Sequence, residues 1–234
     1  MNLTVARSEF ILGGQKSGKS RRAELLARQW LAAVPDHRAV LIATAQPWDE
    51  EMRERIARHQ QDRAERLPGM LTVEEPLALG KAIGQHSQPN TLVVVDCLTL
   101  WLTNLRMPME NAEHPGGWAA GRFAPCPPPA TQAPPLPAQS AQPPSLLADV
   151  KIESNSRVAP VEHAQTAMFL KAIDAAPGPI VLVGNEIGLG VIPMGAEARA
   201  FVDALGRLNQ DVAAVCQRVT LMAAGLPLTL KEPQ

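Results

Sequence analysis

The chain has 234 residues and a formal net charge of −1; 46% of its residues are hydrophobic and 19% are charged. The interleaved basic and acidic residues argue against a nucleic-acid-binding protein, which needs clustered Lys and Arg. The longest apolar run, LVVVDCLTLWL, is too short to span a bilayer, so no membrane span is predicted. Three scattered cysteines and a start without a signal-peptide pattern predict a cytoplasmic protein.

Short apolar runs alternate with helical patterns along the chain. Strands are predicted at 10–14, 39–45, 91–97, 179–185 and 218–224, with a returning edge strand at 225–231. Helices are predicted at 18–33, 49–63, 75–86, 97–105, 161–175 and 196–217. Apolar runs of this length are typical of central parallel strands covered on both faces. The order of elements predicts an α/β fold with a mostly parallel sheet and an antiparallel C-terminal edge strand.

A proline-rich stretch interrupts this alternation. Between Phe123 and Pro144, nine of 22 residues are proline. Such a segment has too few large apolar groups to offset the loss of chain entropy on folding. We therefore predict a disordered insertion at about 119–157 within a single domain spanning 1–234. The functional alternative is a PxxP ligand for a partner module, carried by PPLP.

The first predicted strand leads into a phosphate-binding motif. The sequence GGQKSGKS matches G-x-x-x-x-G-K-[ST] between a strand and a helix, which is the setting that this motif requires. Backbone N–H groups and the helix N-terminus would bind phosphate oxygens, and the lysine would reach the β and γ phosphates. The alternative is a glycine-rich turn with an exposed lysine. The predicted nucleotide-binding residues of this loop are Gly13, Gly14, Gln15, Lys16, Ser17, Gly18, Lys19 and Ser20.

The motif predicts a P-loop NTPase. We expect a RecA-like fold, which is a three-layer sandwich with helices on both sides of the sheet. Such a protein needs a site for Mg²⁺. The hydroxyl of Ser20 is one predicted ligand. Asp96 follows four apolar residues in LVVVD, so it would end a central strand near the loop and complete the metal site. The alternative role for Asp96 is the N-cap of the helix that follows.

The helix predicted at 49–63 carries a histidine on its apolar face. Met52, Ile56 and His59 follow i, i+4, i+7 spacing, so they share one side of the helix. Taken alone, His59 is most simply a half-buried histidine with a hydrogen-bond partner.

Several motifs together resemble one family, the bifunctional adenosylcobinamide kinase / adenosylcobinamide-phosphate guanylyltransferases of cobalamin biosynthesis. They occur in the family order from Leu12 to the C-terminal strand, and only the proline-rich insertion falls outside them. The matching stretches are LGGQKSGKSRRAE (12–24), IATAQPWDEEMRERIARHQQDR (42–63), TVEEP (72–76), VVDCLTLWLTNL (94–105), NEIGLGVIP (185–193) and GRLNQDVA (206–213).

The resemblance implies a role for His59, which ends the motif RIARH. In this family the histidine at that position is the nucleophile that carries GMP. Other implied nucleotide-binding residues are Ala43, Thr44, Ala45, Gln60, Gln61, Asp62, Arg63 and Glu74. Glu75 competes with Glu74, because the stretch between Arg63 and Thr72 departs from the family spacing. The loop at Asn185 and Glu186 is expected near the site, without an assigned chemistry.

The resemblance also implies GTP, ATP and Mg²⁺ as cofactors, a corrinoid substrate (adenosylcobinamide and its phosphate) and a homo-trimer. Two other classes of function remain open on the residues alone. One is a P-loop small-molecule kinase without nucleotidyl transfer, which would need no inward histidine. The other is a RecA-like nucleotide switch that binds nucleic acid or a protein, for which the balanced charge offers no basic face.

Overall fold

The computed structural model of the chain describes residues 4–47, 49–107, 158–191 and 193–233. None of the helices in these ranges is both long and apolar enough for a membrane span. The elements are β1 (Ser8–Gly13), α1 (Lys19–Ala33), β2 (Arg38–Ala43), α2 (Glu50–Arg66), β3 (Met70–Glu74), α3 (Leu79–His86), β4 (Thr91–Asp96), α4 (Leu98–Arg106), α5 (Val158–Ala175), β5 (Ile180–Val183), α6 (Ala196–Val215), β6 (Arg218–Ala223) and β7 (Leu226–Lys231).

Every predicted strand and helix is present, and one strand was not predicted. β3 was missed because its residues are exposed or only half-buried, so MLTVE carries no continuous apolar signal. α2 also continues to Arg66, three residues beyond its predicted end. The helix predicted from residue 75 begins only at Leu79, since the chain first leaves β3 through a short turn.

The strands form one sheet in the order β3-β2-β4-β5-β1-β6-β7. All pairs from β3 to β6 are parallel, and β7 returns antiparallel beside β6. Alternate residues of β1 enter two cores: Phe10 and Leu12 pack with α3 to α6, whereas Ile11 packs with α1. The predicted three-layer α/β sandwich with an antiparallel edge strand is confirmed.

A buried carboxylate ties α1 to the sheet. Glu9 in β1 is fully buried, and its Oε1 lies 2.8 Å from a guanidinium nitrogen of Arg22, one turn into α1. Thr220 Oγ1 donates to the same carboxylate oxygen at 3.0 Å, and Arg218 lies 3.4 Å from Oε2. A buried charge is tolerated only when it is paired and hydrogen-bonded in this way. The network holds the start of α1 against β1 and β6, close to the phosphate-binding loop.

The predicted insertion at about 119–157 lies outside the described residues, but the two helices that flank it are in contact. Nε of Arg106, at the end of α4, donates to Oε2 of Glu162 in α5 at 2.9 Å. The described ends of the chain on either side of the gap are therefore held together without it.

We expect that deleting residues 124–146 leaves the melting temperature close to that of the wild type and the two activities implied by the family resemblance nearly unchanged. The reason is that the ion pair between Arg106 and Glu162 joins the flanking helices. In addition, shortening a long loop changes the entropy cost of closing it only slightly. Differential scanning calorimetry and activity assays check this. A melting temperature lower by many degrees would show that the segment packs on the folded chain.

Candidate active site

The phosphate-binding loop joins β1 to α1 in a geometry that requires two of its glycines. At Gly13 an added Cβ would lie 2.5 Å from the carbonyl oxygen of Met222, which is closer than a side chain tolerates. Gly18, at the N-cap of α1, has a φ of 101°, in the left-handed region that favours glycine. These two conformations let the backbone turn sharply at the N-terminus of α1, where N–H groups of the first helical turn have no partner within the helix and can bind an anion.

Lys19 is buried at the start of α1, and its Nζ donates to the Gly14 carbonyl oxygen at 2.6 Å. Burial lowers the pKa of Lys19, while the nearby Cys97 and Asp96 oppose that shift. A desolvated cation of this kind interacts strongly with an anion placed beside it. Lys19 is therefore not the exposed lysine that the alternative of a glycine-rich turn assumes.

The structure brings Ser20 and Asp96 together. The Ser20 hydroxyl donates to Oδ2 of Asp96 at 2.9 Å, across the gap between α1 and the end of β4. A hydroxyl and a carboxylate are hard oxygen ligands, which Mg²⁺ prefers, and Mg²⁺ typically binds one or two such groups beside phosphates and water. The pair therefore fits the predicted metal site. The N-cap of α4 is Cys97 rather than Asp96, so the alternative role for Asp96 is wrong.

A side-chain hydroxyl links the end of β2 to the backbone that follows Asp96. Thr44 is fully buried; its Oγ1 donates to the Cys97 carbonyl at 2.7 Å and accepts from the Cys97 N–H at 2.9 Å. Its backbone N–H donates to the Asp96 carbonyl at 3.2 Å. The Thr44 side chain thus holds the backbone after Asp96 in place. Its neighbours Ala43 and Ala45 are half-buried at the same edge of the sheet.

Two buried asparagines that were not among the predicted site residues donate hydrogen bonds to backbone carbonyls at the site. Asn104 of α4 is fully buried, and its Nδ2 donates to the Thr44 carbonyl at 2.8 Å. Asn209 of α6 is buried as well, and its Nδ2 donates to the Asn185 carbonyl at 3.1 Å. Each asparagine lies among apolar residues of its helix, and that pattern could have revealed both of them.

The side chain of Gln60 links helix α2 to the end of β3. Its Nε2 donates to Oε1 of Glu74 at 3.0 Å, which joins two residues predicted to bind nucleotide. Glu75 is occupied differently, since its Oε1 accepts the N–H groups of Leu77 and Ala78 at 3.0 and 2.7 Å. Of the two glutamates, Glu74 is the one whose carboxylate is not used by the turn before α3.

The inward face predicted for α2 is confirmed in part. Met52 and Ile56 are half-buried, while Gln61 is exposed and lies 3.4 Å from Glu65 on the same helix. The side chains of His59, Asp62 and Arg63 lie outside the described part of the structure, which gives their backbone within α2. His59 directly precedes Gln60, so the backbone of the predicted nucleophile is adjacent to a residue that contacts Glu74.

The loop after β5 lies beside the phosphate-binding loop, as predicted. The Glu186 N–H donates to the Gly13 carbonyl at 3.1 Å, and the Asn185 N–H donates to the Thr99 hydroxyl at 3.0 Å. The parallel strands β1, β4 and β5 thus bring Gly13, Asp96 and Glu186 to one edge of the sheet.

Comparison with known proteins agrees with this geometry. The sequence model of a family described as "Cobinamide kinase / cobinamide phosphate guanyltransferase" matches residues 9–230. The bifunctional adenosylcobalamin biosynthesis protein CobP of Pseudomonas aeruginosa is 37% identical over 223 residues, which are 95% of this chain and 96% of that protein. The bifunctional adenosylcobalamin biosynthesis protein CobU of Escherichia coli is 32% identical over 223 residues, 95% of this chain and 98% of that protein.

A more distant likeness is to a solved structure, the flagellar accessory protein FlaH from Methanocaldococcus jannaschii. It has a TM-score of 0.43 and 10% identity, and covers 97% of this chain and 79% of that chain. The family match spans nearly the whole sequence, including both sides of the proline-rich stretch. The chain therefore belongs to the cobinamide kinase / cobinamide phosphate guanyltransferase family.

Proposed function

We propose that the protein phosphorylates adenosylcobinamide with ATP or GTP and then transfers GMP from GTP to adenosylcobinamide phosphate, giving adenosylcobinamide-GDP. The observation that carries this proposal is the Ser20–Asp96 contact of 2.9 Å beside a buried Lys19, in a chain that matches the family over residues 9–230. A cytoplasmic location is proposed as well, on the composition and the scattered thiols.

The kinase half depends on the P-loop. The N–H groups of residues 13–20 and the Lys19 ammonium would hold the β and γ phosphates, and Ser20 and Asp96 would hold Mg²⁺. Bound Mg²⁺ would neutralise charge on the β and γ oxygens. The chain's own contribution is to orient the γ-phosphate toward an acceptor hydroxyl and to exclude water from it.

The transferase half depends on His59. An imidazole nitrogen would attack the α-phosphorus of GTP; the N–P bond forms, the bond to the β-phosphate oxygen breaks, and pyrophosphate leaves. A phosphate oxygen of adenosylcobinamide phosphate then attacks the same phosphorus, and the N–P bond breaks. The contact of Gln60 with Glu74 supports this role, because it places α2 against the strand end where a carboxylate can accept from guanine N–H groups.

A homo-trimer is also proposed from the family resemblance. It is supported by two leucines of the edge strand β7, Leu226 and Leu228, which are 70% and 57% exposed. Apolar side chains grouped on an edge strand are typical of surfaces that another chain covers. Sedimentation velocity that gives the mass of one chain would exclude the trimer.

The function is tested by incubating the protein with [α-³²P]GTP and Mg²⁺, with and without adenosylcobinamide phosphate. We expect a labelled protein that is acid-labile and stable in base, as a phosphoramidate is, and loss of the label to adenosylcobinamide-GDP. A plain small-molecule kinase would phosphorylate adenosylcobinamide but leave no label on the protein.

A further inference from the structure

Glu186 lies at the edge of the sheet that carries the phosphate-binding loop. It follows β5, the strand that lies between the P-loop strand β1 and the Asp96 strand β4. Its N–H donates to the Gly13 carbonyl at 3.1 Å, so its backbone is hydrogen-bonded to the loop that binds phosphate. The side chain is half-buried, and therefore only partly screened by solvent.

The Glu186 carboxylate is oriented by neutral groups. Its Oε1 accepts the Gly188 N–H at 2.8 Å, and Nδ2 of Asn209 lies 3.4 Å from its Oε2. Within the described ranges no lysine or arginine forms an ion pair with Glu186. Neither contact needs a charge, since an amide oxygen could accept the same N–H groups, so a purely structural role would be filled as well by a neutral residue.

Two cavities meet at this side chain. One, of about 380 Å³, is lined by the phosphate-binding loop from Gly14 to Ser17 and by residues of β6. The other, of about 480 Å³, is a mostly apolar groove between α6 and β7, lined in part by Gly206, Asn209 and Leu230. Glu186 and Leu189 line both cavities. A molecule in the groove would therefore reach the Glu186 carboxylate, which lies beside the phosphate-binding loop.

We propose that the alcohol acceptor of the kinase step enters through the groove between α6 and β7 and that Glu186 accepts its proton. The acceptor oxygen attacks the γ-phosphorus of the nucleoside triphosphate; the new O–P bond forms and the bond to the β–γ bridging oxygen breaks. The nucleoside diphosphate leaves, and the hydroxyl proton passes to the Glu186 carboxylate and then to water. This inference rests on the kinase half of the proposed function.

The groove suits an acceptor that is large, apolar on its faces and rich in amides. Leu12, Val219 and Leu230 supply apolar contacts, and the exposed Gln210 supplies a group that pairs with amides. Transfer also requires the acceptor oxygen to lie opposite the β–γ bridging oxygen across the γ-phosphorus, so that attacking and leaving oxygens are in line.

The proton acceptor is tested with Glu186→Gln, which keeps an oxygen for the Gly188 N–H but cannot take up a proton at neutral pH. We expect kcat for phosphorylation of adenosylcobinamide to fall by about 10²–10⁴-fold, the usual contribution of a general base. The KM for nucleotide and the melting temperature should stay near the wild-type values. Glu186→Asp, which restores a carboxylate, should recover part of the rate. Glu197→Gln, with the same charge change at an exposed position of α6, should match the wild type.

The entry route is tested by filling the groove. Gly206 and Gly84 are both helical glycines at which an added Cβ meets nothing within 4 Å. Gly206→Trp places an indole in the groove and should raise the KM for adenosylcobinamide at least tenfold, whereas Gly84→Trp on α3 should not. Both variants should keep the KM for nucleotide.

Three outcomes would overturn the inference. A wild-type kinase rate in Glu186→Gln removes Glu186 from the reaction, and an unchanged KM for adenosylcobinamide in Gly206→Trp removes the groove. In both cases the proposed function stands, because the wild-type protein is active. If the wild-type chain itself fails to phosphorylate adenosylcobinamide, the kinase function and this inference fall together.

Discussion

Replacing His59 by asparagine is expected to abolish guanylyl transfer while leaving phosphorylation of adenosylcobinamide intact. Asparagine keeps a polar side chain of similar reach but removes the imidazole that would carry GMP. Loss of a covalent nucleophile reduces kcat by about 10⁴–10⁶-fold. The kinase step depends on Lys19, Ser20 and Asp96, which this change does not touch. Labelling with [α-³²P]GTP and a separate kinase assay measure the two activities independently.

The matched control for this variant is His86→Asn. His86 ends helix α3 and lies outside the predicted site, so this variant should keep both activities. A covalent adduct retained in His59→Asn would move the nucleophile to another residue. Loss of both activities with an unchanged melting temperature would instead assign His59 to binding of the nucleotide.

Replacing Lys19 by alanine is expected to reduce the kinase rate by roughly 10²–10³-fold, the usual cost of removing one electrostatic contact to a transition state. Lys19 is the cation that the P-loop holds buried, with Nζ 2.6 Å from the Gly14 carbonyl. Guanylyl transfer should weaken as well if both reactions use one nucleotide site. The ratio of kcat/KM between variant and wild type gives the loss of transition-state stabilisation directly.

The folded state should tolerate this loss. Burial lowers the pKa of Lys19, so the charged ammonium is held in the folded protein against a desolvation penalty. Its removal therefore should not lower the melting temperature in the absence of nucleotide. Lys171→Ala, the same change at an exposed position of α5, is the control. Phosphorylation at the wild-type rate by Lys19→Ala would contradict the P-loop assignment.

Features set by contiguous residues were predictable from the sequence. The eight residues of the P-loop motif stand in a row, and the buried strands are continuous apolar runs, so both carry their own signal. β3 carries none, because Leu71 and Thr72 are both exposed on an edge strand. This edge strand pairs with β2, and only Met70 and Val73 pack partly against the cores.

Contacts between distant segments were not predictable in this way. Residues 43–45 were expected to line the nucleotide site, but nothing in the sequence indicated that the Thr44 hydroxyl makes two hydrogen bonds to the backbone of Cys97, 53 residues away. Likewise, TVEE offers two adjacent glutamates, and only the fold shows that Glu75 accepts hydrogen bonds from the turn before α3 while Glu74 contacts Gln60. These assignments depend on which chain segments the sheet brings side by side.

The strand order has a consequence for synthesis of the protein on the ribosome. In the described part of the chain, β1 pairs only with β5 and β6. Ser8 therefore cannot pair with Ile180 across the sheet until Ile180 has been translated. By contrast, β2, β3 and β4 pair with one another within residues 38–96. At about 5–20 residues per second, roughly 10–35 s separate translation of β1 from translation of β5. The strands that end in Glu74 and Asp96 can therefore assemble first on a nascent chain, and the capacity to bind a triphosphate is acquired only when the last third of the protein has been made.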